Sequence, residues 1–225
     1  MSKEWINILI LAALFLSLFG IAEMSYYFLK IKAEWTRRFV HLGSGLLALL
    51  FPAMIQNHWL VLLLCFSFFI LLILSLKYKF LKSINNVSRH TVGSLAFPVA
   101  VYGCYLAYYF LNRQYLYYYL PLLISAICDP LAATAGKHFS KKKYEIQKTG
   151  KTYIGSAAFF VSAFIISFIF LVGNTEILTA IILSVLIGFL ATNAEAFTKK
   201  GWDNITIPAS VLGSLFILKY FKLVV

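Results

Sequence analysis

The feature that most constrains this chain is the recurrence of uninterrupted apolar runs close to 20 residues long. A helix needs roughly 20 such residues to cross a hydrocarbon layer about 30 Å thick, and a soluble domain has no use for several of them. Eight runs read as spans: Trp5 to Leu29, Phe39 to Gln56, His58 to Leu76, Ser94 to Leu111, Leu116 to Ala135, Ile154 to Val172, Glu176 to Phe197 and Ile205 to Phe221. Each is continuously apolar rather than alternating, which predicts helices and not the strands of a membrane barrel. Composition agrees, since 61% of the 225 residues are hydrophobic and only 12% are charged. The expected fold is all-α, a polytopic integral membrane bundle of about eight helices within a range of seven to nine, built as one membrane-embedded domain over residues 1–225.

The first run follows Lys3 and resembles a secretory signal, but it extends for about 25 residues without a small-residue cleavage site, so it is expected to stay as a helix. The cysteines Cys65, Cys104 and Cys128 lie inside spans without CxxC spacing, which argues against a disulfide framework or a zinc site.

Charge placement orients the bundle. Sixteen of the 20 basic residues fall in alternate loops, those after the first, third, fifth and seventh spans, and the opposite side keeps only Lys3, Arg113, Lys219 and Lys222. Short loops rich in Lys and Arg stay in the cytoplasm during insertion. The expected topology therefore has four basic cytoplasmic loops and both termini outside, and a chain without a targeting extension suits a bacterial plasma membrane. Such asymmetry by itself attracts anionic headgroups, so membrane lipids are expected partners and nucleic acid is not. The polar residues add a second signal: Glu34, His41, Asp129, Thr152, Glu195, Asp203 and Asn204 share the basic side, whereas the other loops hold only Glu4 and Glu176 as carboxylates. Any chemistry belongs on the cytoplasmic face.

The segment CDPLAATAGKHFSKKK, Cys128 to Lys143, ends an apolar run with an acid, a proline and then lysines. A carboxylate at membrane depth is costly and reads as functional by default. The residue before a proline is disfavoured in the α region, so the helix is expected to break at Asp129. Asp129 then either caps a short helix beginning at Pro130 or presents its carboxylate in the break. Many cations beside few acids suit a phosphate ligand, because Lys and Arg neutralise phosphate oxygens and carboxylates hold the Mg²⁺ that bridges them. The Gly150-Lys151-Thr152 triplet resembles a Walker A ending, but Glu145 stands where that loop needs its first glycine. The Rossmann glycine pattern, HExxH and GxSxG are absent as well.

Three segments in order resemble the family of CTP-dependent polyprenol kinases, which includes dolichol, phytol and farnesol kinases. EWTRRFVHLGSG, Glu34 to Gly45, is similar to the family's Arg-Lys-x-x-His segment, with Arg38 in the lysine position. DPLAATAGKHF, Asp129 to Phe139, with KTGKTYIGS, Lys148 to Ser156, resembles its Asp-x-x-Ala run and its Gly-Lys-Ser/Thr loop. EAFTKKGWDNITIP, Glu195 to Pro208, resembles its Glu and Asp-Asn ending, and RHTVGSLAFP, Arg89 to Pro98, is a weaker match. The chain departs from the pattern at Ile154, where glutamate is usual, at Cys128, where glycine is common, and at Ser140, which replaces a second glycine.

The resemblance implies a lipid kinase that moves a phosphoryl group from CTP to a membrane-dissolved isoprenoid alcohol at the cytoplasmic face, with Mg²⁺ as cofactor. It implies catalytic roles for Asp129, Asp203, Glu195 and His41, with Asp129 and Asp203 on the metal, and phosphate binding by Arg37, Arg38, Lys137, Lys148, Lys151, Thr152 and Asn204. Other readings of these residues stand beside it. Asp203 and Asn204 suit capping of the last helix, Glu195 suits an i,i+4 pair with Lys199, and a lone His41 suits a hydrogen-bonded interface. Tyr117, Tyr118, Tyr119, Trp35, Trp59 and Trp202 suit an aromatic belt. Two other functions remain open: a CTP-dependent cytidylyltransferase acting on phosphatidate or a related lipid phosphate, and a small transporter or lipid-binding protein with Glu23, Asp129 and Glu195 along a polar path.

Overall fold

The computed structural model describes residues 3–86, 92–139, 150–173, 175–199, 201–221 and 223. These residues form helices α1 (Lys3–Tyr27), α2 (Ala33–Ala48), α3 (Phe51–Met54), α4 (His58–Tyr78), α5 (Lys82–Asn85), α6 (Gly93–Phe110), α7 (Leu116–Leu123), α8 (Asp129–Phe139), α9 (Tyr153–Leu171), α10 (Ile177–Phe197) and α11 (Asp203–Tyr220). A π turn over Ile124–Cys128 joins α7 to α8, and no strand occurs among the described residues.

Five continuous helical stretches among the described residues are long and apolar enough to cross a membrane: Lys3–Tyr27, His58–Tyr78, Leu116–Phe139, Tyr153–Leu171 and Ile177–Phe197. The other three expected spans also form helices, but shorter or more polar ones. The second begins at Ala33 rather than Phe39, which puts Glu34, Arg37 and Arg38 on the first turns of α2 instead of in a loop. It also divides before Pro52. Proline has no N–H for the carbonyl four residues back, Ala48, and the Tyr118 hydroxyl takes its place, donating to that carbonyl at 2.7 Å. Tyr117 and Tyr118 are fully buried core residues rather than belt residues.

The apolar core lies in two clusters. One packs Phe15, Phe51, Phe68 and Tyr105 among α1 to α7. The other packs Tyr117, Phe159, Ile187 and Ile207 among α7 to α11. Neighbouring Tyr117 and Tyr118 on α7 point into different clusters. The α7–α8 stretch is the most enclosed of the five, with 56% of its apolar window buried against 33% or less for the others.

The helix does not break at Asp129, which keeps α-region angles of φ −65° and ψ −49°. Pro130 cannot donate to Ala126, and its ring crowds that carbonyl. The chain widens into the π turn just before it instead, a distortion frequent at functional sites.

Small residues let this stretch approach its neighbours. A Cβ built on Gly45 of α2 would stand 2.3 Å from Cβ of Ala126, and one on Gly136 of α8 would stand 2.5 Å from Oγ1 of Thr152. Close backbone approach at glycine is a common device in membrane bundles.

Candidate active site

One cavity of about 600 Å³ opens among the ends of α2, α6, α8, α9, α10 and α11. Its wall collects ten of the eleven residues singled out from sequence: Arg37, Arg38, His41, Asp129, Lys137, Lys151, Thr152, Glu195, Asp203 and Asn204. The eleventh, Lys148, lies outside the described residues.

Lys151 is the hub. Gly150 takes a left-handed φ of +74° that glycine adopts without strain, and this turn carries the chain into Lys151 just before α9. The Lys151 ammonium pairs with Glu195 of α10, lies 3.5 Å from Oδ2 of Asp203 on α11, and lies 4.0 Å from Oδ1 of Asp129 on α8. Burial pulls this ammonium down, but Asp129, Glu195 and Asp203 outweigh burial and hold its pKa above the ordinary lysine value. Lys151, not Lys199, is therefore the ion-pair partner of Glu195.

Asp203 and Asn204 do not act as the N-cap of α11. That position is Trp202, which makes no side-chain cap bond. Asp203 turns to Lys151, while the Asn204 amide donates to the Gly93 carbonyl at 2.7 Å and ties α11 to the start of α6. Thr152 is the true cap, with Oγ1 accepting from the Gly155 N–H at 3.0 Å at the start of α9.

On the opposite wall, Nε2 of His41 lies 3.1 Å from the Ser125 carbonyl of the π turn. A carbonyl only accepts, so Nε2 carries the proton and donates. Arg38 donates to Thr134 at 2.9 Å and pairs with Glu34 at 2.9 Å, and the second oxygen of Glu34 takes Lys137 at 2.7 Å. Glu34 is thus a clasp between α2 and α8 that holds two of the expected phosphate-binding cations.

Glu23 sits elsewhere. One of its oxygens accepts from the backbone N–H and hydroxyl of Ser83 at 2.9 and 2.8 Å. Thr36 and Arg37 also bind this short turn, through the carbonyls of Ser83 and Ile84. Glu23 therefore anchors α5 to α1, as Thr36 and Arg37 anchor it to α2, and does not line the cavity with Asp129 and Glu195.

The chemistry of the donors fits a hard cation. Asp129, Asp203 and Glu195 present oxygen to one space, and Oε2 of Glu195 is buried with no hydrogen-bond partner among the described residues. Among those residues no group of three or more His, Cys, Asp or Glu closes on a single point, because the carboxylates surround the Lys151 ammonium instead. Ile154 is 40% exposed and outside the cavity wall, whose carboxylates are Glu34, Asp129, Glu195 and Asp203.

The part of the site that sequence reasoning missed is apolar. Beyond the charged groups the same cavity is walled by Phe15 and Phe19 of α1, Phe51 of α3, and Leu64 and Phe68 of α4. A phenylalanine in an apolar helix carries no local sign that it faces a cavity rather than lipid.

Over 187 residues the chain is 27% identical to a curated phytol kinase from Synechocystis sp., an alignment that covers 82% of this chain and 78% of that protein. No family model matches the chain, and no solved structure matches it. The similarity bears out the resemblance read from the ordered motifs, to the family of polyprenol and phytol kinases.

Proposed function

We propose that this chain transfers the terminal phosphoryl group of CTP to the hydroxyl of a membrane-dissolved isoprenoid alcohol, at the cytoplasmic face of the membrane. The observation that carries the reading is the two-part cavity, charged among Asp129, Lys151, Glu195 and Asp203 and apolar among Phe15, Phe51 and Phe68. A nucleotide needs the first part and a prenyl tail the second.

Phosphoryl transfer asks mainly for alignment and charge neutralisation. The alcohol oxygen bonds to the γ-phosphorus as the bond from that phosphorus to its bridging oxygen breaks, CDP departs with the electron pair, and the hydroxyl proton passes to a carboxylate of the cluster. Arg37, Arg38, Lys137 and Lys151 line the wall that incoming phosphate would meet, and Lys151 directly precedes the N-terminus of α9, whose N–H groups favour an anion. Mg²⁺ is typically held by one or two carboxylates together with substrate phosphates, so Asp129 and Asp203 would supply the protein's share, and bound Mg²⁺ would neutralise charge on the phosphates. His41, which lines the cavity, ties α2 to the π turn through its Nε2 donation to the Ser125 carbonyl.

The test is purified protein in detergent with Mg²⁺, labelled CTP, and phytol, geranylgeraniol or phosphatidate as acceptor. CDP and a prenyl phosphate are the expected products. Pyrophosphate released with phosphatidate would replace this reading by cytidylyl transfer, and absence of turnover with every acceptor would overturn both.

A further inference from the structure

We infer that the apolar arm of the cavity is a closed ruler for the acceptor, fitted to an alcohol of about three to four isoprene units, with Phe51 as its floor. The inference rests on the reading of the chain as a prenol phosphotransferase.

Its depth follows from helix register. His41, at the charged part, and Phe51 both line the cavity and lie ten residues apart along α2 and α3. At 1.5 Å per residue that is roughly 15 Å, so the arm matches an extended chain of about three to four isoprene units.

The walls are aromatic. Phe15 packs against Phe51 at 6.0 Å and against Phe68 at 5.1 Å, and Phe19 meets Phe68 at 5.8 Å, all between ring centroids.

The far end is shut. Leu11, Ile55, Val61 and Tyr105 are fully buried in the same cluster as Phe51 and form no part of the cavity wall. The Tyr105 and Tyr118 hydroxyls donate to the carbonyls of Ile55 and Ala48 at 2.5 and 2.7 Å, which fixes the chain on both sides of Pro52. A longer tail therefore meets packed, hydrogen-bonded protein and not an exit. A shorter tail leaves apolar surface unfilled, which weakens binding in proportion to the area left uncovered.

The experiment compares kcat/KM with CTP for alcohols of two, three, four and eleven isoprene units, and maps a farnesol carrying a diazirine at its far end by photocrosslinking and mass spectrometry without CTP. We expect the highest kcat/KM at three to four units, at least tenfold lower values at eleven, and the crosslink on Phe51, Leu64 or Phe15. Phe51→Ala is expected to move the optimum up by about one unit, and Leu64→Phe to move it down, with folding checked by thermal unfolding. Equal turnover of the eleven-unit alcohol, or an unchanged profile in both folded variants, overturns the ruler and leaves the kinase reading standing. Crosslinking at the floor without phosphorylation of any alcohol supports the arm and sinks the kinase reading instead, whereas a crosslink elsewhere overturns the ruler.

Discussion

The Lys151 ammonium lies 3.5 Å from the Asp203 carboxylate, and this contact joins the loop before α9 to the first turn of α11. The same ammonium faces Asp129 and Glu195, so one cation from a loop holds together acids from three helices. Without it, three carboxylates would face one another in a partly buried space, a costly arrangement.

Lys151→Met is therefore expected to lose CTP turnover and about 3 kcal/mol of stability, near the low end for breaking a buried pair. The pH dependence follows from the direction of the shift. The folded pKa of Lys151 is raised, so its stabilisation is complete below the ordinary lysine value and is lost only as pH rises through the higher folded value. The stability gap between wild type and variant should hold steady from about pH 7 to 9 in thermal unfolding and close only in stronger alkali. A gap that closes below about pH 9 would remove Lys151 from the hub.

Asp129→Asn removes one charge from the crowded cluster while keeping its shape. Turnover is expected to fall by about 10²-fold or more, the range for losing a positioned proton acceptor or charge-stabilising group. The melting temperature should hold, because repulsion with Asp203 is relieved as attraction to Lys151 is lost. Near-normal turnover in a steady-state CDP assay would show that the carboxylate is structural.

Much of this arrangement was legible in the sequence, and the reasons differ by residue. Asp129 stood out as an acid at the end of an apolar run, Glu195 and Asp203 through the ordered motifs although a cap or an i,i+4 pair also suited them, and all three converge on one cavity. The bundle was legible because hydropathy reports crossing directly, although only five described helices have clear spanning character. The path of the chain at Asp129 was not. A proline says that a hydrogen bond is lost, and only packing against α2 and α9 decides whether the helix breaks or widens. Lys137 as a partner of Glu34, and Ser83 as the partner of Glu23, were hidden too, because a contact across 103 or 60 residues leaves no local pattern. The phenylalanine arm was the least visible, since lipid and a prenyl tail ask the same chemistry of a side chain.

Glycine packing makes a sharper test of the fold. Gly45→Ala places a methyl 2.3 Å from Ala126 beside the π turn, whereas Gly103→Ala on α6 meets nothing within 4 Å. The first is expected to cost about 1–3 kcal/mol through overpacking. The second should be neutral or stabilise by up to about 1 kcal/mol through helix propensity. Thermal unfolding of the two variants compares these directly, and equal melting temperatures would contradict the close contact between α2 and the π turn.

Glu34 gives a prediction of opposite sign to the usual site variant. Its carboxylate occupies Arg38 and Lys137, cations that a triphosphate would need, and it is about half exposed. Incoming phosphate must compete with it. Glu34→Gln keeps the shape and removes the competing charge, so the KM for CTP should fall by roughly threefold, about the worth of an exposed ion pair, with kcat little changed. Added salt screens the pair at Glu34 and the attraction of phosphate alike, so the wild-type KM should rise with ionic strength, and the ratio of wild-type to variant KM should shrink toward one. A variant KM at or above the wild-type value at low salt would mean that Glu34 positions Arg38 and Lys137 for phosphate instead of competing for them.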